Sequence, residues 1–185
     1  MSKGKGRLLV ISGPSGTGKG TVIARLLEQR PWLVFSVSAT TRAPRVGETD
    51  GVNYHFIDRE QFENMISRDE FFEFAEYVGE YYGTPKKPIY ECMEDGKDVL
   101  LDIEVQGARQ VMQKEPNAIT IFIVAPDMSE LERRLRARGT DSEEKLKARL
   151  ERALAELEEK NLYGHVVIND DVTRAAQEIA SIIDK

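Results

Sequence analysis

The chain has 185 residues, with 26 basic and 32 acidic side chains and a formal net charge of −6. That length suits one α/β core with small insertions, and the acidic balance argues against a nucleic-acid partner. No apolar stretch approaches the length of a membrane span. The start, 1–6, is polar with no signal-peptide core, and the single cysteine, Cys92, excludes an internal disulfide and fits a reducing cytoplasm.

Leu8-Leu9-Val10-Ile11 is aliphatic and β-branched, as a buried strand should be. It runs into Gly13-Pro14-Ser15-Gly16-Thr17-Gly18-Lys19-Gly20-Thr21, after which Val22, Ile23, Leu26 and Leu27 recur at helical spacing. A glycine-rich turn between strand and helix points several backbone N–H groups at one phosphate chain. The helix start adds the positive end of its dipole, and a lysine reaches the terminal phosphates. The general pattern has Ser or Thr after the lysine to meet magnesium. Here Gly20 stands there and Thr21 is next in line. The alternative for this segment alone is a glycine-rich turn with no ligand.

Trp32 to Val37 is a short strand candidate, with Trp32 an anchor rather than a base platform. Residues 38–48 are a polar, glycine-containing turn in which Arg42 and Arg45 flank Pro44, a spacing suited to a second phosphate. Tyr54 and Tyr82 would each offer it a hydroxyl; otherwise they bond backbone. Asn53 to Ile57 is extended, and Asp58 caps a helix over Arg59 to Ser67, with Gln61 placed for the reciprocal bond. Phe71 to Tyr77 reads as an aromatic strand. Strict alternation puts Phe72 and Phe74 on one side and Glu73 with Phe71 and Ala75 on the other. Gly79 to Pro85 reads as a loop, and Pro88 to Glu94 as a helix ended by Gly96.

Val99 to Ile103 and Ala118 to Val124 read as parallel strands buried on both faces. Asp102 ends the first of them, where a carboxylate beside a phosphate loop would hold a metal through water, or else cap a helix or form an ion pair. Helices follow from about Gln106 to Lys114, Ser129 to Ala137 and Glu143 to Asn161, the last with a capping box from Thr140 to Glu143 and a Leu146, Leu150, Leu154, Leu157 stripe. Arg134 and Arg138 share a helical face, Gly139 interrupts, and Arg149 lies on the next helix. Such a segment either closes over phosphates as a lid or is a solvated surface. Val166 to Ile168 and Val172 to Ile183 close the chain as strand and helix. His55 and His165 have no ligand-spaced partners, and Cys92 reads as a passive helix residue.

Strands alternating with helices predict an α/β fold: a parallel sheet core carrying a phosphate loop and flanked by helices, with an inserted small mixed α/β lobe and a helical lid. The core is expected from 1–37 and 96–185, the lid at about 130–148, and the lobe at 38–95.

From about Gly6 to Asp184 these segments resemble the guanylate kinase family. They are Gly13 to Lys19, Ser36 to Arg45, Gly51 to Tyr54, Glu73 to Tyr77, Gly79 to Thr84, Leu101 to Gly107, Arg138 to Thr140 and Asn169 to Asp171. The resemblance implies magnesium-dependent phosphorylation of GMP, or dGMP, by ATP. It assigns the loop 13–21 and Asn169 to ATP, and Arg42, Arg45, Tyr54 and Tyr82 to the GMP phosphate. Ser38, Glu73, Gly83, Thr84 and Glu104 fall to the guanine side, and Asp102 to the magnesium surroundings, next to GMP. Lys19, Arg42, Arg134, Arg138 and Arg149 become catalytic. Gly20 and Thr84 depart mildly from the commonest family residues, and Glu104 stands where Asp is also found. A cytoplasmic enzyme, monomeric or homodimeric, follows.

Physical chemistry agrees with that assignment. Guanine presents N1–H and an exocyclic amine side by side, which one carboxylate accepts bidentately, whereas adenine offers a bare acceptor. Transfer between two nucleotides needs no side-chain nucleophile, since the acceptor phosphate attacks. Two other readings exist: an inactive guanylate-kinase-like domain that binds partner proteins, and a kinase for another small phosphorylated acceptor.

Overall fold

A computed structural model describes residues 4–77, 79–137 and 142–185. Five strands form an all-parallel sheet, β1 (Leu8–Ser12), β2 (Val34–Phe35), β7 (Val99–Asp102), β8 (Ile119–Val124) and β9 (His165–Ile168), in the order β2-β7-β1-β8-β9. Helices α1 (Lys19–Gln29) and α7 (Val172–Ile183) cover one face; α3 (Lys86–Glu94) and α4 (Val105–Lys114) cover the other. The strands alternate between the two cores. Leu9 and Ile11 of β1 join Ile121, Ile123, Val22 and Ile179, while Leu8 and Val10 join Phe122, Ile89 and Val111. With both faces covered, every residue of β1 is buried, which is why the strand reads as an unbroken apolar run.

A second sheet holds β3 (Ala39–Thr40), β4 (His55–Phe56), β5 (Phe71–Tyr77) and β6 (Glu80–Pro85), in the order β4-β3-β6-β5. Helix α2 (Arg59–Ser67) lies on it, capped by the Asp58 carboxylate accepting the Gln61 N–H at 2.7 Å. The core under this sheet centres on Phe62, Phe71 and Ala39. The Phe62 ring stacks on Phe71 at 4.3 Å and on Tyr81 at 5.1 Å. Within the expected lobe 38–95, α3 packs Ile89 and Met93 into the core of the parallel sheet.

Several expectations need correction. Gly79 to Pro85 is not a loop: Glu80–Pro85 is a strand, paired antiparallel with β5 from Tyr77↔Glu80 to Phe71↔Pro85. Aromatic Tyr81 and Tyr82 suit a sheet, and Gly83 is there because a Cβ would lie 3.0 Å from the Glu73 carbonyl oxygen and from the Phe62 and Phe71 rings. Ala39 and Thr40, within the expected polar turn, form a strand. The strand expected over Trp32 to Val37 is reduced to Val34–Phe35, and Trp32 is 47% exposed. Strict alternation in β5 fails because the register shifts between Phe71 and Glu73. Phe71, Phe72 and Glu73 are all buried, and the Phe74 ring lies 6.3 Å from Phe71 instead of joining Phe72.

Helix α5 spans Met128–Ala137 and α6 spans Glu143–Leu157, followed by a 3₁₀ turn, Glu158–Leu162, where a continuous helix was expected. The α6 cap is Ser142, whose hydroxyl accepts the Lys145 N–H; Thr140 lies outside the described residues. Of the leucine stripe, Leu154 is exposed and Ala153 is buried in its stead.

The stacked lobe core generates a stability prediction. Phe62→Ala leaves a cavity between two rings and should cost about 3–5 kcal/mol in urea unfolding. A loss below about 1 kcal/mol would contradict the packing described.

Candidate active site

The loop after β1 and the end of β7 meet at the same, C-terminal edge of the parallel sheet, where open α/β sheets bind ligands. The loop conformation depends on glycine. Gly13 runs so close to β8 that a Cβ would lie 2.3 Å from the Ile123 carbonyl oxygen. Gly18 caps α1 at φ 82, with Asn169 Nδ2 only 2.5 Å from where its Cβ would be. Thr17 is buried, and its hydroxyl donates to the Pro14 carbonyl at 2.9 Å, closing the turn on itself. The Lys19 ammonium donates to the Asp102 carboxylate. Asp102 thus holds a cation at the loop.

Two arginines brace the loop from outside. The Arg134 guanidinium donates to the Glu130 carboxylate at 2.7 Å, the Thr17 carbonyl at 3.0 Å and the Asn169 carbonyl at 2.9 Å. It ties α5, the loop and the end of β9 together. Arg133 and Arg134 hold the Glu130 carboxyl down at about 2. Arg149 of α6 donates to the Ser15 hydroxyl at 2.7 Å. Asn169 is buried, and its amide donates to the Thr17 carbonyl at 2.7 Å, so it supports the loop from behind. Arg138 lies outside the described residues. Between the loop and α6 opens a cavity of about 820 Å³, lined by residues 13–21, Tyr77, Glu104, Lys145, Arg149 and Arg152 among others.

The second constellation stands on the smaller sheet. Pairing of β3 with β6 sets Thr40 opposite Tyr82, and the Ser38 carbonyl accepts the His55 N–H at 2.8 Å to hold β4 alongside. Arg42 follows β3. Its guanidinium meets the Glu48 carboxylate through two N–H groups, each at 2.9 Å, while that carboxylate also accepts the Arg45 N–H at 2.7 Å. The guanidinium carbon sits 5.5 Å from the centre of the Tyr54 ring and 5.7 Å from that of Phe56, and Tyr54 meets Tyr82 edge-on at 6.0 Å. Arg42 and the Arg45 N–H together hold the Glu48 carboxyl below its usual range. Burial raises the Tyr54 hydroxyl, and Tyr82, Arg42, Glu48 and Asp102 all lie within electrostatic reach of it.

Glu73 stands directly across from Thr84 in the β5–β6 ladder. Its carboxylate is buried and accepts the Thr84 hydroxyl at 2.5 Å. Glu104 precedes α4, is largely exposed, and pairs with Arg152 of α6 at 2.6 Å. Burial pushes the Glu73 carboxyl above the ordinary range; the Thr84 bond opposes this and the Glu104 charge adds to it. Sequence reasoning had no signal for Glu48 or Arg152, since neither belongs to a spacing pattern. A carboxylate three residues after Arg45 in a turn was the only hint for Glu48.

Known proteins match nearly the whole chain. The family model described as guanylate kinase matches residues 5–185. The guanylate kinase of Carboxydothermus hydrogenoformans is 49% identical over 179 residues, 97% of this chain and 88% of its own. That of Synechococcus sp. (strain JA-3-3Ab) is likewise 49% identical, over 97% of this chain and 82% of its own. The crystal structure of guanylate kinase from Anaplasma phagocytophilum superposes with a TM-score of 0.77 at 37% identity, covering 98% of this chain and 86% of that one.

Because the native Glu73 carboxyl is raised, the folded state binds more protons than the unfolded chain between the ordinary and the raised value. Stability contributed by this group therefore falls as pH rises through that window. Glu73→Gln removes the cost. Melting curves against pH should show the variant gaining on the wild type as pH rises through the window; a variant-minus-wild-type Tm that stays constant or falls contradicts a costly buried carboxylate.

Proposed function

Since the chain belongs to the guanylate kinase family, we propose that it transfers the γ-phosphoryl group of ATP to GMP or dGMP, with the loop 13–21 as donor site and the Arg42 constellation as acceptor site. The observation that carries this reading is a pair of anion sites, one at the C-terminal edge of the parallel sheet and one on the smaller sheet. One is a glycine loop with Lys19. The other is an arginine fork that already grips a carboxylate bidentately. A phosphate matches that fork in the same way.

The work of each residue follows from charge and position. Loop N–H groups and Lys19 hold the ATP phosphates. Arg42, Arg45, Tyr54 and Tyr82 hold the GMP phosphate, whose oxygen attacks the γ-phosphorus while ADP leaves. Arg134, Arg138 and Arg149 belong to the segment that closes over the reacting group, excludes water and neutralises charge. Glu73 accepts guanine's paired donors, with Ser38, Gly83, Thr84 and Glu104 around the base.

Magnesium fits the residues present. Among the described residues no cluster of three or more His, Cys, Asp or Glu would hold a metal alone. Magnesium prefers one or two carboxylates completed by phosphates and water. Asp102, which holds the Lys19 ammonium, is that carboxylate; Gly20 brings no hydroxyl, and Thr21 is the nearest one along the chain. The ion would supply neutralisation of phosphate charge. Location in the cytoplasm and a monomer or homodimer complete the reading. Among the described residues no helix is long and apolar enough to cross a membrane.

A coupled assay tests it. GMP with Mg·ATP should yield GDP and ADP, and Lys19→Ala should lower turnover by roughly 10²-fold or more with an unchanged melting curve. Turnover with AMP or UMP but not GMP would overturn the substrate, and near-normal turnover of the lysine variant would overturn the donor site. Absence of all turnover, with GMP still bound, would instead favour a protein-binding domain.

A further inference from the structure

Helix α4 carries glycine in its first turn, at Gly107, where alanine would make a more stable helix. The backbone there does not require glycine, since Gly107 is absent from the positive-φ glycines of the described residues. The reason lies across the packing contact with β5. A Cβ at Gly107 would lie 2.6 Å from Glu73 Oε2, 3.0 Å from its Cδ and 3.2 Å from its Cγ. Both residues are buried. The other Glu73 oxygen is pinned by Thr84 at 2.5 Å. The carboxylate is therefore held from one side by a hydroxyl, and on the other it rests on a helix with a missing methyl group.

We propose that Gly107 is a positioning residue for acceptor selectivity: its lack of a side chain opens the slot in which the Glu73 carboxylate lies flat enough to meet the two donors of guanine. The inference rests on the assignment of Glu73 to the guanine edge. A methyl at Gly107 leaves backbone, loop and arginines in place and moves only the carboxylate. It therefore acts on recognition of the base and not on the transfer step. Bidentate recognition tolerates little displacement, because both donors must be met in one plane.

Steady-state kinetics of the full chain with Mg·ATP, using GMP and AMP as acceptors, test this in a cycle of Gly107→Ala, Glu73→Ala and the double variant. Gly107→Ala should lower the GMP-over-AMP ratio of kcat/KM by about tenfold or more. The loss should fall mainly on KM for GMP, with KM for ATP within about twofold. In the Glu73→Ala background the same substitution should cost nothing further, because nothing remains for the methyl to displace. Discrimination unchanged in Gly107→Ala, or losses that multiply in the double variant, would overturn the proposal. If Glu73→Ala itself leaves the ratio intact, the assignment of Glu73 fails and the proposal falls with it. Should Gly107→Ala not fold, recovery of folding in the double variant supports the contact, and failure to recover overturns it.

Discussion

A carboxylate buried between strand β5 and helix α4 is the constraint around which this protein is arranged. Glu73 has one hydroxyl donor, a neighbouring acidic residue and, among the described residues, no cation bonded to it, Lys114 acting only at a distance. Burying a charge with so little compensation costs stability. The structure nonetheless fixes the group carefully. The ladder places Thr84 opposite, β5 shifts register beside three successive buried residues, and α4 approaches through a glycine. On the proposed reading, such a group awaits a ligand that brings its own donors. Local rules are broken here, and the compensation comes from a packed frame on both sides.

The cationic side chains follow the opposite logic. Lys19 is paired with Asp102, Arg42 with Glu48 and Arg134 with Glu130. Long flexible side chains are thereby ordered before any phosphate arrives, which reduces the entropy lost on binding. The chain as a whole is acidic, so on the proposed reading phosphates are attracted by local arrangement and not by a basic surface. Glu48 is instructive because it shows the geometry that the Arg42 fork accepts: two parallel oxygens in one plane.

Much of this was readable from residues alone, and the exceptions have a common cause. Strand β1, its glycine loop and α1 are local: an apolar run, a turn and a period of 3.6 follow each other without help from elsewhere. The Asp58 cap is local too. What failed depends on distant partners. Strand β6 carries glycine and proline and becomes a strand only because β5 and β3 bond it on both sides. The inward turn of Glu73 needs the same pairing. Among the named site residues, Arg134, Arg149 and Asn169 do come to the loop, yet Arg134 and Asn169 each donate to the Thr17 carbonyl of its backbone. Spacing could announce arginines near phosphates, but not which atoms they would hold.

Calorimetric titration of the protein with GMP and with inosine monophosphate isolates the central interaction, because the two ligands differ only by the exocyclic amine. If the buried carboxylate accepts two donors from guanine, GMP should bind about tenfold to a hundredfold more tightly, and Glu73→Ala should erase the difference. Equal affinities in the wild-type protein, or a preference that survives in the variant, would contradict the account.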